Sequence, residues 1–428
     1  MKISVIGLGY VGLPLAIEFS KSYETIGFDI NQLRVQQLIK NNDINGDVET
    51  SSLLDSKVVF TSSIEDIVES DIYIVTTPTP IDEDNNPDLT ILKKACETVG
   101  SVLKKNDIVI FESTVYPGTT EEVCVPILES HSGLNFINEE NKNSINDDGF
   151  YCGYSPERIN PGDKEHYLTN IVKITSGSTE EIAKKIDNLY KSIVQAGTYR
   201  AESIMVAEAA KIIENTQRDV NIALVNELSI IFNKLGIDTK QVLRAAETKW
   251  NFNRYDPGLV GGHCIGVDPY YLAYKSIKMD YYPEMILSGR KINDGMPQII
   301  IDRIIEMINQ QGKQMKNLNT LIMGLSFKKD CKDLRNSKVF NLAKILNSKK
   351  SKVDIYDPFI NQDEVNEDNI FSLVEEPRSK YYDVIIIAVD HSVFATMSIN
   401  EIRSYGTDDL LILDLKSIFP IHQTDFRL

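Results

Sequence analysis

The chain has 428 residues, 42% hydrophobic and 25% charged, a size too large for one core and expected to divide into two or three domains. A formal net charge of −17 speaks against nucleic acid and anionic membrane surfaces as partners, and aliphatic runs such as Val384–Val389 are strand-sized, far short of a membrane span. Five cysteines, at 96, 124, 152, 264 and 331, are odd in number and lack metal-ligand spacing, so reduced thiols are expected, with neither a disulfide framework nor a metal.

Residues 2–6, "KISVI", read as an apolar strand that begins at once, so no secretory leader is expected and the cytoplasm is the expected compartment. The strand runs into Gly7-Leu8-Gly9-Tyr10-Val11-Gly12, a G-x-G-x-x-G, and "LPLAIEFS" after it has helical apolar spacing. In such a turn Gly7 permits the bend, Gly9 lets a pyrophosphate approach the backbone, and Gly12 lets helix and strand pack closely. A second strand, "ETIGFDI", ends at Asp29, with Arg34 just beyond. Asp29 would accept hydrogen bonds from a ribose diol and repel a 2′-phosphate, so NAD is expected over NADP. Strands in 71–80 and 107–114 end in Thr77-Pro78-Thr79 and Ser113-Thr114, at the edge where a doubly wound sheet holds its ligand. These residues form the candidate cofactor site.

Residues 138–149, "NEENKNSINDDG", are polar and read as a mobile surface loop without chemistry. Residues 202–236 carry 3.6-residue apolar spacing with no proline and stop at Gly236, which predicts one long helix bridging domains and packing on another chain. Lys211 and Asn215 share one of its faces, with Arg218 next along; alone, this trio reads as an exposed polar stripe. Gly258–Tyr271, "GLVGGHCIGVDPYY", crowds glycines and His263 around Cys264. Two readings fit: a small buried hydrophobe in a tight loop, or a nucleophile on bare backbone that a substrate carbon can approach.

The last third repeats the first. Strands are expected at 320–324, 352–357, 383–390 and 410–416, with helical segments between. Gly324 has no partner glycines, and Lys328, Lys329 and Arg335 fall in the loop after it, either as a solvated basic loop or as a grip for an anion. The fold class expected is α/β: two Rossmann-like doubly wound parallel-sheet domains, at 1–200 and 306–428, joined by a long central helix and a helical middle domain at 201–305.

Seven stretches in this order, "GLGYVGLPLA", "TPTP", "FESTVYPG", "YSPERINPGD", "EAAKIIENTQRDVNIALVNE", "GLVGGHCIGVDPYYL" and "GLSFKKDCKDLRNS", resemble the UDP-sugar 6-dehydrogenases over nearly the whole chain, on their UDP-N-acetylhexosamine branch. The resemblance implies an NAD-dependent four-electron oxidation of UDP-N-acetylglucosamine at C6 for surface polysaccharide synthesis, with the galactosamine and mannosamine epimers as alternatives, in a homodimer or larger homo-oligomer. It implies Cys264 as the nucleophile, passing through thiohemiacetal and thioester, and Asp268 as an acid handling protons and water. Lys211 and Asn215 would stabilise the C6 oxyanion, which replaces the stripe reading. Thr114 and Glu157 would position water. Lys328 and Arg335 would belong to the nucleotide-sugar domain, and Arg254 would reach a neighbouring subunit's site. Arg158, Asn160, Arg218, Gly261, His263, Tyr270 and Tyr271 are further candidate substrate contacts; His263 would fix the loop or act on the thiol. Val267 and Pro161 stand where the UDP-glucose branch has a lysine and a second glutamate, so proton transfer would rely on fewer groups. A silent NAD and nucleotide-sugar binding protein would not need Cys264, Lys211, Asn215 and Asp268 together.

Overall fold

The computed structural model describes residues 1–144, 148–159, 167–262, 265–362, 365 and 370–428. Backbone packing divides the chain into two units, Met1–Glu214 with Tyr270–Tyr281, and Asn215–Pro269 with Tyr282–Leu428.

The first unit is built on unbroken apolar runs such as Ile72–Val75 and Ile108–Phe111, buried at every position. Such runs suit parallel strands covered on both faces. Its strands are β1 (Lys2–Ile6), β2 (Glu24–Phe28), β3 (Val59–Thr61), β4 (Ile72–Val75), β5 (Ile108–Phe111), β6 (Asn135–Phe136), β7 (Gly149–Tyr154), β8 (Lys173–Gly177) and β9 (Thr198–Arg200). Their order is β3-β2-β1-β4-β5-β7-β8-β9, with β6 beside β7, and β7 meets β8 antiparallel while β1 pairs parallel with both neighbours. Leu13, Ala16 and Ile17 of the helix Gly12–Ser20 pack on Ile3, Val5, Ile72 and Ile74. The order reverses between β1 and β4, and Gly7 and Thr76 directly follow those two strands, so the glycine turn stands at the topological switch point. In the polar segment, residues 138–144 form a hydrogen-bonded turn, with Asn141 Nδ2 donating to the Phe136 carbonyl at 2.9 Å. The Asn138 N–H likewise donates to Asn141 Oδ1 at 2.9 Å. Gly149 already opens β7, and 145–147 lie outside the described residues.

The second unit repeats the plan. Strands β10 (Asn319–Met323), β11 (Lys352–Tyr356), β12 (Ser372–Leu373), β13 (Tyr382–Ile387), β14 (Gly406–Asp414) and β15 (Phe426–Arg427) run in the order β12-β11-β10-β13-β14-β15, all parallel. Gly7 and Gly324 adopt the same left-handed turn, with φ of +98° and +93°. Each donates its N–H at 2.8 Å to the last carbonyl of the neighbouring strand, Phe28 in one sheet and Tyr356 in the other.

The long helix runs over Ile204–Leu235, two residues inside its expected start and one inside its expected end. At 1.5 Å per residue it is about 48 Å long. Gly236, at φ +72°, ends it. Among the described residues no helix is long and apolar enough to cross a membrane.

Candidate active site

The glycine turn is shaped for a close-approaching ligand. A Cβ on Gly12 would collide with the Gly7 carbonyl and with Thr76 Oγ1, whereas a Cβ on Gly9 would meet nothing within 4 Å. The first glycine is therefore required by packing, and the second leaves backbone open to an incoming group. Asp29 accepts the Leu8 N–H through Oδ2 at 2.8 Å and the Asn31 N–H through Oδ1 at 2.9 Å. A carboxylate offers about four acceptor positions, so each oxygen keeps one, which is what a vicinal diol needs. Arg34 is buried. Its Nε donates to the Leu8 carbonyl at 3.0 Å, and its guanidinium pairs with Asp43 at 2.6 Å and Asp47 at 3.4 Å. Arg34 thus braces the turn and is neutralised by the chain's own acids. Tyr10 and Val11 are half-buried on the same turn.

The loops after β4 and β5 are stitched together. Ser113 Oγ donates to the Thr77 carbonyl at 2.6 Å, and Thr79 Oγ1 donates to the Thr114 carbonyl at 2.6 Å. Pro78 lies between those stitches. Tyr271, fully buried, donates its hydroxyl to the carbonyls of Thr79 and Pro80 at 2.8 and 3.0 Å. Tyr271 thereby ties the helix Asp268–Lys278 to the loop after β4.

Glu157 lies in a buried ionic cluster that sequence reasoning missed. Its Oε1 accepts the N–H groups of Arg158 and Ile159 at 2.6 and 2.8 Å, and its Oε2 accepts from Lys173 Nζ at 3.0 Å. Lys173 also donates to Glu112 at 2.7 Å, and the Tyr190 hydroxyl donates to the other Glu112 oxygen at 2.5 Å. Burial opposes charge on all three ions. For Glu157, Lys173 and the two amides outweigh burial and hold the carboxyl below its usual range; for Lys173, the two carboxylates outweigh burial and hold the amine above its own. Glu112 is the member burial wins over, and its carboxyl is raised. The arrangement keeps a Lys173–Glu157 ion pair and makes Glu112 the readier proton acceptor. Arg158 pairs with Glu214 at 2.6 Å and donates to the Val172 carbonyl at 2.9 Å. Glu208, buried on the long helix, accepts from the Gly118 and Thr120 N–H groups and the Thr120 hydroxyl, and burial pushes it up to about 7.

On the long helix Lys211 and Asn215 are both buried and Arg218 is exposed. Asn215 Nδ2 donates to Asp268 Oδ2 at 2.6 Å, and Asp268, buried, opens the helix Asp268–Lys278. Gly262, at φ +86°, lies against the Phe327 ring, and a Cβ on Gly261 would press on the Asn336 carbonyl. Asn160, His263 and Cys264 lie outside the described residues. A cavity of about 340 Å³ in the second unit is walled by Arg254, Gly258–Gly261, Phe327, Lys328 and Lys416, among others. It brings Arg254, Gly261 and Lys328 together. Arg254 also pairs with Glu247 at 2.7 Å and Asp256 at 3.0 Å. Arg335 is not part of that wall; its guanidinium grips Asp333.

Residues 1–194, 205–295 and 321–420 match, respectively, the NAD binding, central and UDP binding domains of the UDP-glucose/GDP-mannose dehydrogenase family. The chain is 53% identical to the UDP-N-acetyl-D-glucosamine 6-dehydrogenase of Salmonella typhi, over 100% of this chain and 99% of that one. It is 50% identical to the enzyme of the same name from Pseudomonas aeruginosa, with the same coverage. Among solved structures it is similar to a UDP-D-ManNAc dehydrogenase from Pyrococcus horikoshii, with a TM-score of 0.86 and 30% identity over 100% of this chain and 98% of that one. The chain belongs to the UDP-glucose/GDP-mannose dehydrogenase family and is an NAD-dependent dehydrogenase.

Proposed function

We propose that this dehydrogenase oxidises C6 of UDP-N-acetylglucosamine to the carboxylate, consuming two NAD and one water and releasing two NADH and three protons. The observation that carries the reading is 53% identity, end to end, to a relative named for that reaction, in a chain that keeps Lys211, Asn215, Cys264 and Asp268. The open Gly9 backbone and the two unused acceptor positions on Asp29 fit a dinucleotide. When bound, NAD accepts the hydride lost by the sugar carbon at each oxidation.

The chain's own residues then have separable roles. The Cys264 thiolate forms a C–S bond to the C6 aldehyde; loss of the second hydride leaves a thioester, and water breaks the C–S bond to give the acid. Lys211 and the second amide hydrogen of Asn215 stabilise negative charge on the C6 oxygen. Asp268, held by Asn215, receives protons. Glu157, kept ionised by Lys173, orients the hydrolytic water together with Thr114. Arg254, Gly261 and Lys328 hold the nucleotide-sugar. Surface polysaccharide synthesis in the cytoplasm, by a homodimer, completes the proposal; a relative from Staphylococcus aureus, 46% identical, is called Protein CapL.

The rival substrate is UDP-N-acetylmannosamine, favoured by the likeness to the Pyrococcus horikoshii structure. NADH formed per mole of sugar, measured for the glucosamine, mannosamine and galactosamine nucleotides, decides between them. Two NADH per UDP-N-acetylglucosamine, at the highest kcat/KM of the three, is expected; a different preferred epimer replaces the substrate, and no NADH from any of them overturns the reading. Cys264→Ser should bind NAD and UDP-sugar yet make no uronic acid, and unchanged acid production would remove the thiol from the reaction.

A further inference from the structure

The long helix carries asparagines at 215 and 226, eleven residues or about three turns apart, and hence on one face. Each holds one end of the glycine segment. Asn215 bonds Asp268 at 2.6 Å, and Asn226 grips the backbone of Gly258 from both sides: its Oδ1 accepts the Gly258 N–H at 2.8 Å and its Nδ2 donates to the Gly258 carbonyl at 3.0 Å. The second Nδ2 hydrogen goes to Asn293 Oδ1 at 2.8 Å. Asn293 in turn donates to the Asp219 carboxylate and carbonyl at 2.7 and 3.0 Å, and Arg290 fixes that carboxylate at 2.6 Å. Arg290 reaches on to Asp294, which also takes Lys338.

Asn226, Asn293 and Asp219 are sealed from solvent. Only a primary amide satisfies Gly258 and Asn293 together, since it must accept once and donate twice. A carboxylate of the same shape would face two acceptors, and an apolar side chain would leave Gly258 unpaired in the interior. A buried ionic pair beneath a loop is weak as a stabiliser, but hydrogen bonds running from Gly258 through Asn226 and Asn293 to Asp219 Oδ1 fix geometry.

We infer that Asn226, with Asn293 behind it, is a positioning residue for the reaction: it anchors Gly258, where the glycine segment begins, to the helix that bears Asn215. The inference rests on the proposal that this segment carries the reacting groups. A misplacement of about 1 Å in such a segment costs on the order of 100-fold in rate.

The test compares Asn226→Asp with wild type for kcat, for KM of NAD and of UDP-N-acetylglucosamine, and for thermal midpoint. The expected result is a kcat at least tenfold lower, measured well below the variant's midpoint, with the NAD KM within about twofold of wild type. A kcat within twofold of wild type, whatever the midpoint, overturns the inference and leaves Asn226 a structural residue. Should Asn226→Asp not fold, Asn293→Ser leaves Asn226 in place but unsupported. It is expected to show the same split at about threefold or more in kcat, and an unchanged kcat there overturns the inference. Wild type that reduces NAD with none of the three sugars removes the proposed function beneath it; wild-type turnover with an unaffected variant removes this inference alone.

Discussion

Three donors converge on the Glu157 carboxylate, and the one that is a side chain can be removed. Lys173→Met leaves Glu112 and Glu157 buried side by side without their cation, a loss of about 3–5 kcal/mol in stability. It also raises the affinity of Glu157 for a proton. If Glu157 must be ionised for turnover, the acid limb of kcat/KM moves to higher pH in this variant, and an unmoved limb in a pH profile takes Glu157 out of the ionisations that control the rate. Glu208 gives a prediction of opposite sense for stability. Its folded carboxyl is raised from 4.5 to about 7, so the folded state binds the proton more tightly than the unfolded chain. Its contribution is fully present below about pH 4.5 and is lost as pH rises through about 7, a change of about 3 kcal/mol. The stability of wild type minus that of Glu208→Gln, which cannot titrate, is expected to fall over that window in denaturant melts, and a flat difference contradicts the burial argument. The bond from Asn215 to Asp268 was not foreseen, although Glu157, Asn215 and Asp268 were each legible as candidates, because they stand inside recognisable stretches of sequence. Lys173, Glu112 and Tyr190 were not, since their bonds join residues 61 and 78 apart. One signal was present: Glu112 directly follows an apolar strand and Lys173 opens another, and a charge in such a place calls for a partner.

Elements read more easily than pairings, because apolar period is a local property of the chain. The long helix and each strand of the two sheet centres stood in the sequence within a few residues of their bounds, and so did the bend at Gly7 and the close packing at Gly12. That turn makes a graded prediction. Gly9→Ala adds a methyl group to open space, so the protein is expected to fold with an ordinary melt and to bind NAD more weakly. Gly12→Ala drives a methyl into the Gly7 carbonyl and Thr76, so it should lose both melting temperature and NAD binding. Fluorescence titration with NADH beside a thermal melt separates the two; equal behaviour would contradict the packing argument. Asp29 and the neutralised Arg34 leave no cation for a 2′-phosphate, and kcat/KM is expected to favour NAD over NADP by about 100-fold or more. The side-chain stitches from Thr77 to Ser113 and from Tyr271 to Thr79 were illegible, because hydroxyls find backbone carbonyls only once loops from separate strands have met.

For the whole molecule, the long helix leaves Leu224, Ile231 and Leu235 at least 44% exposed, at spacings of seven and four residues that align them in one stripe. A stripe of that kind on an otherwise acidic protein is expected to be covered by a second copy. Sedimentation equilibrium should give a dimer mass for wild type and a monomer for Leu224→Glu combined with Ile231→Glu; a monomeric wild type contradicts this. The repetition of strand order in the two sheets was visible in the sequence as two successions of strand and loop. The change of ligand between them showed there too, in a Gly324 without partner glycines and in Lys328, Lys329 and Arg335 after it.

One acid has different surroundings in the two sheets. Asp357 follows β11 as Asp29 follows β2, and it takes the Leu325 N–H at 2.7 Å as Asp29 takes that of Leu8. Yet Asp357 also accepts from the Ser326 and Phe359 N–H groups and lies 3.1 Å from His391 Nε2, with that imidazole wholly enclosed. Three of these four contacts crowd Oδ2, and Oδ1 takes the Phe359 amide alone. A ribose diol engages one acceptor position on each carboxylate oxygen; with a ring and an extra amide crowding one oxygen, the second sheet lacks the even-handed grip that the first offers.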